Sequence, residues 1–310
     1  MHLGIDLGGS KTEIIALTSD SQELWRKRIP SPQGDYSKTL DTLCQLVHEA
    51  EQKLQNKATL GLGIPGALSP ESGRVKNANS TWLIGHPLQQ NLSQRLERPI
   101  VIANDADCFA LSEASDGAAK SFQNVFGVIL GTGVGGGLVI NKQLVSGPNA
   151  ISGEWGHNPL PNCDEIKDGL SRCYCGKKNC IETYLSGPGL VARYLEKTPC
   201  KDVGLETVEY IARMRDHSHP EHVSTTQYFM QFVDQLARSL ALVINIIDPD
   251  VIVFGGGLSN IDEIYQSLPN ALIPYVFSDT ICTHITKAQH GDASGVRGAA
   301  WLGANAAITL

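Results

Sequence analysis

The sequence predicts a mixed α/β protein of two domains with a cleft between them, and three observations carry that reading. The chain of 310 residues exceeds what one core fills, since single cores stop growing near roughly 250–300 residues. Strand patterns alternate with helical patterns along its length. A strand, a glycine-rich turn and a second strand open the chain, and the same device recurs at mid-chain.

The first strand, His2 to Leu7, runs into Gly8-Gly9-Ser10-Lys11 and then into an apolar, β-branched run over 12–18. A third strand lies near 24–29. A helix follows over 36–54, where Leu40, Leu43, Val47 and Ala50 fall near helical spacing. Strands at 60–64 and 100–103 come next, the latter leading into Asn104-Asp105, where a helix begins. In the second half, 125–130 meets Gly131-Thr132-Gly133 and continues into 137–140. A long amphipathic helix near 225–247 precedes the strand 251–254, the turn Gly255-Gly256-Gly257 and a helix after Ser259. The last helix, about 294–307, opens with Gly295-Val296-Arg297-Gly298-Ala299-Ala300, small residues that permit close packing. No low-complexity stretch or flexible linker interrupts the chain.

Composition narrows the function. Hydrophobic residues make up 42% and charged residues 18%, a globular balance. A formal charge of −7 with no basic run argues against nucleic acid as the partner, because such binding rests on clustered Lys and Arg. The opening lacks a signal peptide's basic and apolar regions, and no apolar run reads as long enough to span a bilayer. The expectation is a cytoplasmic protein with no membrane partner. Of eight cysteines, Cys44, Cys108, Cys200 and Cys282 are scattered, whereas Cys163, Cys173, Cys175 and Cys180 crowd one segment. In a cytosolic chain such crowding favours a metal over disulfides.

The glycine turns suggest a phosphate ligand. Successive backbone N–H groups in such a turn form an anion site that needs no cationic side chain. Each of the three, at Gly8 to Lys11, Gly131 to Gly137 and Gly255 to Gly257, follows a strand. One alone would pass for a hairpin turn; three, with Asp6 and Lys11 at the first, favour phosphate. The pattern GxxxxGK[ST] is absent, so a P-loop is not expected. Residues 131–136 match GxGxxG but lead into a strand-like segment, where a dinucleotide fold requires a helix.

Phosphoryl transfer to a hydroxyl needs a base, a metal on the phosphates and donors around the transferring group. Asp105, at a strand end, is the candidate base; read locally, it could equally be a helix cap. Asp6, ending the first strand, is placed to orient Mg²⁺ through water. Glu154, His157 and Glu182 offer acceptors and a donor to sugar hydroxyls, though alone they could be solvated loop residues. Cys173, Cys175 and Cys180 with upstream His157 supply the three thiolates and one imidazole that close a tetrahedral structural zinc. Cys163 is a competing ligand. The loop His217 to His222 reads as a solvated histidine-rich loop.

With DLGGSK, IPG, AND, GTGVGGG, GEWGH, CYCGKKNC and GGGLS in this order, the sequence resembles the ROK family of bacterial sugar kinases and related repressors over nearly its whole length. The resemblance implies an actin-like ATPase (ribonuclease H-like) fold of two α/β domains flanking an interdomain cleft, ATP-Mg²⁺ as phosphate donor and a structural Zn²⁺. It implies Asp105 as the base. Asp6, Gly8, Gly9, Ser10, Lys11, Gly131, Thr132 and Gly133 would serve the phosphates and metal, with Gly256 and Gly257 near the adenosine. Gly66, Asn79, Asn104, Asp105, Glu154, His157 and Glu182 would surround the sugar, although Asn79 could also be a turn residue. The expected domains are 1–118 plus 291–310, with the first phosphate turn and Asp105, and 119–290, with the second phosphate turn, the zinc knuckle and the adenosine-side turn. Ser10 stands where the family usually has Thr, and Asn179 where the knuckle usually has Gly; Asn tolerates left-handed backbone. The run 76–83 and the segment His157 to Pro161 look like the fructokinase (mannokinase) branch, so D-fructose is the first expected substrate, with mannose beside it. N-acetylglucosamine kinase and glucokinase are the alternatives. The family's repressors carry a helix-turn-helix before the first glycine turn, whereas here the first strand begins at residue 2; the expectation is therefore the enzyme, with a second copy of the chain as a candidate partner.

Overall fold

Each half of the chain builds a five-stranded sheet with the same permutation of strands. The computed structural model describes residues 1–199, 202 and 204–308, the side chains of 307 and 308 excepted; Cys200 lies outside the described residues. In chain order the elements are β1 (His2–Leu7), β2 (Lys11–Leu17), β3 (Glu23–Pro30), α1 (Tyr36–Leu54), β4 (Thr59–Ile64), β5 (Ala67–Leu68), β6 (Val75–Lys76), α2 (Leu88–Leu96), β7 (Val101–Asn104) and α3 (Asp105–Ser115). Then come β8 (Val125–Leu130), β9 (Val134–Ile140), β10 (Gln143–Leu144), α4 (Glu182–Leu185), α5 (Gly187–Lys197), α6 (Thr207–Arg215), α7 (His222–Ile247), β11 (Val251–Gly255), α8 (Asp262–Leu272), β12 (His284–Lys287) and α9 (Ser294–Ile308). The sheets run β3-β2-β1-β4-β7 and β10-β9-β8-β11-β12. In both, a strand and its two successors stand on one side and the later strands are added on the other. By contacts the chain divides into a first unit, Met1–Gly127, Gly137–Gly153 and Ala288–Leu310, and a second, Val128–Gly136 and Glu154–Lys287.

Strand alternation builds the first unit from the inside. Leu3, Ile5, Leu7, Ile14 and Ala16 face one side of the sheet and share a core with Leu40, Leu43, Leu46, Val47 and Ala50 of α1. Ile15 and Leu17 point the other way, toward Val296 and Ala300 of α9. That period of two is what a sheet buried on both faces requires. The helix α1 starts where the Asp35 carboxylate accepts the Lys38 N–H, and ends at Gln55 in the left-handed region at φ 50°.

The helix α3 is held more tightly than any propensity would ask. A Cβ on Gly298 of α9 would lie 1.7 Å from the Cys108 carbonyl oxygen, and one on Gly137 would lie 2.6 Å from the Ala106 carbonyl oxygen. On another side, a Cβ on Gly127 would lie 2.7 Å from the Ala110 Cβ. These approaches exclude any side chain. The fully buried Glu113 carboxylate then accepts from the N–H groups of Ala118 (2.9 Å), Gln289 (3.0 Å) and His290 (3.2 Å) and from the Ser294 hydroxyl (2.9 Å). A buried carboxylate is tolerable only when its oxygens are this well supplied.

In the second unit, α7 brings Phe229, Phe232, Leu236 and Leu240 into the core. Tyr194 lies edge-on to Tyr210 at 5.1 Å and to Tyr228 at 6.0 Å. Arg238 is buried and donates to Asp168 at 2.8 Å and to the Pro161 carbonyl at 2.6 Å, tying α7 to the loop before α4. Among the described residues one helix, α7, is long and apolar enough by length and composition to cross a membrane. It is mostly buried in the core of the second unit, and its polar Gln235 and Arg238 turn inward to Asp168.

The Gly298 contact gives a direct test. Gly298→Ala places a methyl group where the Cys108 carbonyl stands, and urea unfolding should show a loss of about 1–3 kcal/mol or more; an unchanged midpoint would mean that α3 and α9 separate freely.

Candidate active site and metal centre

The parallel strands β1, β4 and β7 end side by side, with Asp6 opposite Gly63 and Gly63 opposite Ala103. Asp6 and Asn104-Asp105 therefore stand at the carboxyl ends of one sheet, where open α/β sheets place ligands. Asn104, not Asp105, is the cap of α3: its side-chain oxygen accepts the Ala106 N–H at 2.8 Å. Asn104 has the extended backbone of a cap, and Asp105 is the first helical residue. The Asp105 side chain is exposed at the helix start, and its Oδ1 also accepts from Ala106 N–H at 2.8 Å.

Three expected sugar residues gather beside it. The Gly66 carbonyl accepts from the Asn104 side-chain amide at 3.3 Å, and the Pro65 carbonyl accepts the Asn79 N–H at 3.1 Å. A Cβ on Gly66 would lie 2.9 Å from Ala78. The exposed Asn79 thus has its backbone fixed by the segment that also receives Asn104.

The first glycine turn is clamped from the segment that follows β3. The Gly8 carbonyl accepts from the Ser31 hydroxyl at 2.7 Å, the Gly9 carbonyl from the Gln33 amide at 2.9 Å, and the Ser10 carbonyl from Ser31 N–H at 3.0 Å. With its carbonyls turned to these donors, the turn leaves Gly9, Ser10 and Lys11 exposed.

Asp6 is the strained charge. Burial, then the charges of Asp105 and Glu13, push its carboxyl up to about 7, against a smaller opposing pull from Arg28. Burial with the charges of Asp107, Asp6 and Asp105 likewise holds the Cys108 thiol well above its usual range. Concentrated negative potential on hard oxygen donors fits a divalent cation such as Mg²⁺.

The other two turns adjoin one another in the second unit. Gly256 sits at φ +79°, and a Cβ there would lie 2.4 Å from the Leu130 carbonyl oxygen, so only glycine fits. Gly131 approaches Gly257, its Cβ position 4.0 Å from the Gly257 nitrogen. The Gly131 carbonyl accepts the Gly187 N–H at 2.8 Å, joining the turn to the start of α5. Thr132 is exposed between its neighbours. Glu182, first residue of α4, accepts the Val134 N–H at 3.0 Å and lies against Gly133. One of its carboxylate oxygens therefore serves the turn itself.

His157, Cys173, Cys175 and Cys180 converge with their ligand atoms all within 4.8 Å of one another. The His157 Nδ1 lies 3.6 Å from the Cys173 sulfur, and the Cys175 and Cys180 sulfurs are 3.6 Å apart. A tetrahedron with zinc–sulfur bonds of about 2.3 Å has edges of about 3.8 Å, so the donors fit that ion in number, kind and spacing. The knuckle turns at Gly176 and at Asn179, φ 56°, as the tolerance of Asn for this region allows. Burial pushes the Cys180 thiol up to about 12 and the Cys173 thiol upward, whereas a hydrogen bond from the Lys177 backbone lowers Cys175. Close-packed thiols resist ionisation, and a bound cation reverses that. Cys163 stays outside the cluster, against the Tyr184 hydroxyl at 3.7 Å. The His217 and His222 rings face each other at 3.1 Å and belong to no cluster of metal donors among the described residues.

The knuckle positions the GEWGH loop. Pro159 pairs with Cys180, and the Asn179 carbonyl accepts the Leu160 N–H at 2.7 Å. Trp155 donates from its indole to the Gly135 carbonyl at 2.9 Å, and a Cβ on Gly156 would lie 2.3 Å from the Val134 carbonyl oxygen. The His157–cysteine donors, the loop and the second glycine turn are one packed assembly, from which the exposed Glu154 projects. Sequence reasoning missed Glu113 and the Asp168–Arg238 pair. For Glu113 a signal existed: it lies in α3 among Ala, Leu, Ser and Phe, where a charge must be buried.

The repeated strand order and the paired glycine turns define an actin-like ATPase fold. The profile of the ROK family matches residues 2–306, and the chain belongs to that family. It is 41% identical over 306 residues to an N-acetyl-D-glucosamine kinase of Pectobacterium atrosepticum, covering 97% of this chain and 98% of that one. Among solved structures it is similar to a ROK hexokinase from Thermus thermophilus, with a TM-score of 0.85, 25% identity and coverage of 100% of this chain and 99% of the other. A ROK family glucokinase from Streptomyces griseus, solved with glucose and AMPPNP, gives a TM-score of 0.72 at 26% identity, covering 97% and 98% of the two chains.

Two measurements test the site. Asp6 keeps its proton to about pH 7 when folded but only to about 4 when unfolded, so stability falls as pH rises through that window and levels above it. Asp6→Asn removes the fall. In urea without divalent cations its stability relative to wild type should climb between pH 4 and 7, by up to about 1.4 kcal/mol per unit; parallel pH profiles would refute the assignment. Metal analysis should find zinc in the wild-type protein and much less in Cys175→Ser; undiminished zinc would place the ion elsewhere.

Proposed function

We propose that the protein is an ATP-dependent sugar kinase whose acceptor is N-acetyl-D-glucosamine, with structural zinc in the His157–Cys173–Cys175–Cys180 set. The observation that carries the substrate is the 41% identity, over nearly the full length of both chains, to a relative named N-acetyl-D-glucosamine kinase. The fructose expected from the run 76–83 and the segment after His157 finds no support among these relatives. That segment's conformation is accounted for by the knuckle, since Pro159 and Leu160 pair with Cys180 and Asn179. Its sequence therefore reflects the metal loop as much as the sugar.

In the first unit, Asp105 would accept the proton of the attacking hydroxyl. It stands exposed at the start of α3, where backbone N–H groups favour a carboxylate. Asn104, Gly66 and Asn79 would orient the sugar beside it, and the backbone of Gly8 to Lys11 would meet the phosphates. Mg²⁺, held near Asp6 through water, would neutralise charge developing on the transferred phosphoryl group. In the second unit, Gly131 to Gly133 would bind phosphate oxygens, Gly256 and Gly257 would flank the adenosine, and Glu154 and Glu182 would accept from sugar hydroxyls. His157 serves the metal centre, with Nδ1 toward Cys173.

An ADP-release assay with N-acetylglucosamine, glucose, mannose and fructose should give the highest kcat/KM for N-acetylglucosamine; a preference for fructose would overturn the substrate. Asp105→Asn should keep sugar binding, measured calorimetrically, and lose on the order of 10²-fold or more in kcat. Near-normal turnover would remove Asp105 as the base.

A further inference from the structure

The loop between α6 and α7 brings together His217, His219 and His222, and the proposed function uses none of them. Solvation alone gives such residues no reason to meet. Two of them do: His217 Nδ1 lies 3.1 Å from His222 Nε2, with the ring centres 4.4 Å apart and the ring planes at 58°. Each ring centre lies behind its nitrogen, so an end-on hydrogen bond would part the centres by the nitrogen separation plus the depth of both rings. At 4.4 Å the rings are bent well off that line.

The other nitrogen of His222 fixes its tautomer. His222 Nδ1 lies 2.7 Å from the carbonyl oxygen of Met214, in the last turn of α6. A carbonyl only accepts, so Nδ1 carries the hydrogen and the Nε2 lone pair of the neutral ring is turned to His217. Ligating histidines are arranged in this way, the outer nitrogen donating to a backbone carbonyl or a carboxylate. The loop itself is held: the Asp216 carboxylate accepts from the Ser218 N–H at 2.9 Å and from its hydroxyl at 2.6 Å, and the His219 carbonyl accepts the His222 N–H at 3.0 Å. His219 is turned to the backbone, its Nδ1 accepting the Glu221 N–H at 3.1 Å. Local charge favours a cation, because Arg213 is paired with Asp202, Glu209 and Glu221, and Arg215 with Glu263.

The geometry points to a second metal site, in which His217 and His222 are adjacent ligands of a late first-row divalent cation such as Ni²⁺, Cu²⁺ or Zn²⁺. An ion about 2.0–2.1 Å from each nitrogen, with the nitrogens 3.1 Å apart, would see them at about 95–102°, between the right angle of octahedral or square sites and the tetrahedral angle. Imidazole suits these cations, whereas Mg²⁺ and Ca²⁺ take oxygen. His217 offers its Nδ1 lone pair by carrying its hydrogen on Nε2, the other neutral tautomer. The pair is no closed cage like the knuckle: two protein donors leave the remaining positions to water, so the ion exchanges. Once bound, it ties the end of α6 to His222, the first residue of α7.

The test uses the full-length, zinc-loaded protein with Ni²⁺ as the probe. Equilibrium dialysis, with zinc measured in the same samples, should find Ni²⁺ bound while the knuckle keeps its zinc. His217→Ala and His222→Ala should each bind Ni²⁺ on the order of 10-fold more weakly or worse, as a chelate reduced to one imidazole does, and His219→Ala should bind as wild type does. Ni²⁺ should also raise the urea midpoint of wild type and leave that of His217→Ala in place, since an ion that needs both imidazoles together binds only the folded chain. The exposed position of His217 keeps its variant folded. Equal Ni²⁺ affinity in wild type and His217→Ala overturns the site, as does Ni²⁺ that enters only as zinc leaves. An equal loss in His219→Ala overturns the choice of pair, and a wild-type midpoint that Ni²⁺ does not move overturns the tie between α6 and α7.

Discussion

The feature on which the first unit depends is the near-contact of helix α3 with backbone on several sides. Gly298 of α9 meets its Cys108 carbonyl, while Gly127 and Gly137 meet Ala106 and Ala110. A helix packed backbone to backbone has no side-chain layer to yield, so its axis and its first residue are fixed together. That first residue is Asp105. Asn104 caps the helix, and the Asp105 carboxylate shares the same Ala106 N–H. Glu113 closes the other end of the helix onto the segment leading into α9. The start of α3, which carries Asp105, is thereby set by the packing behind it.

In the second unit the same end is reached by different means. A loop rich in glycine and cysteine has little core of its own, and short segments of that kind need a staple. The His157–cysteine cluster serves as one, and its effect passes through Pro159–Cys180 pairing and the Trp155–Gly135 bond into β9. The Gly131–Gly133 turn is thereby braced by the metal loop on one side and by α4 and α5 on the other. A cluster of metal donors can thus govern the geometry of a glycine turn it does not contain.

Much of this was legible in the sequence, for reasons that can be named. β1, α1 and β8 emerge with the expected bounds because their signals are strong: strict alternation, a capping Asp35 with an apolar stripe, and an apolar run ending in glycine. The knuckle was legible because cysteine spacing restricts the ligand geometry so closely. The short elements α4, α5 and α6 were not, since their apolar residues face aromatic partners such as Tyr194, Tyr210 and Tyr228 drawn from three different helices. Nothing local announces such a cluster. The cap of α3 stood as an open alternative because Asn and Asp are neighbours there and both are good caps; both accept the Ala106 N–H, and only the extended backbone of Asn104 distinguishes them.

The substrate was the least legible property, and the structure shows why. Residues 157–161, read as a mark of the fructose branch, are held by the metal loop, so their identity reports on knuckle pairing as well as on sugar. Specificity between a hydroxyl and an acetamido group turns on one or two hydrogen bonds, a matter of donors and acceptors and not of motif. Glu154 and Glu182 supply only acceptors, and Glu182 spends one oxygen on Val134.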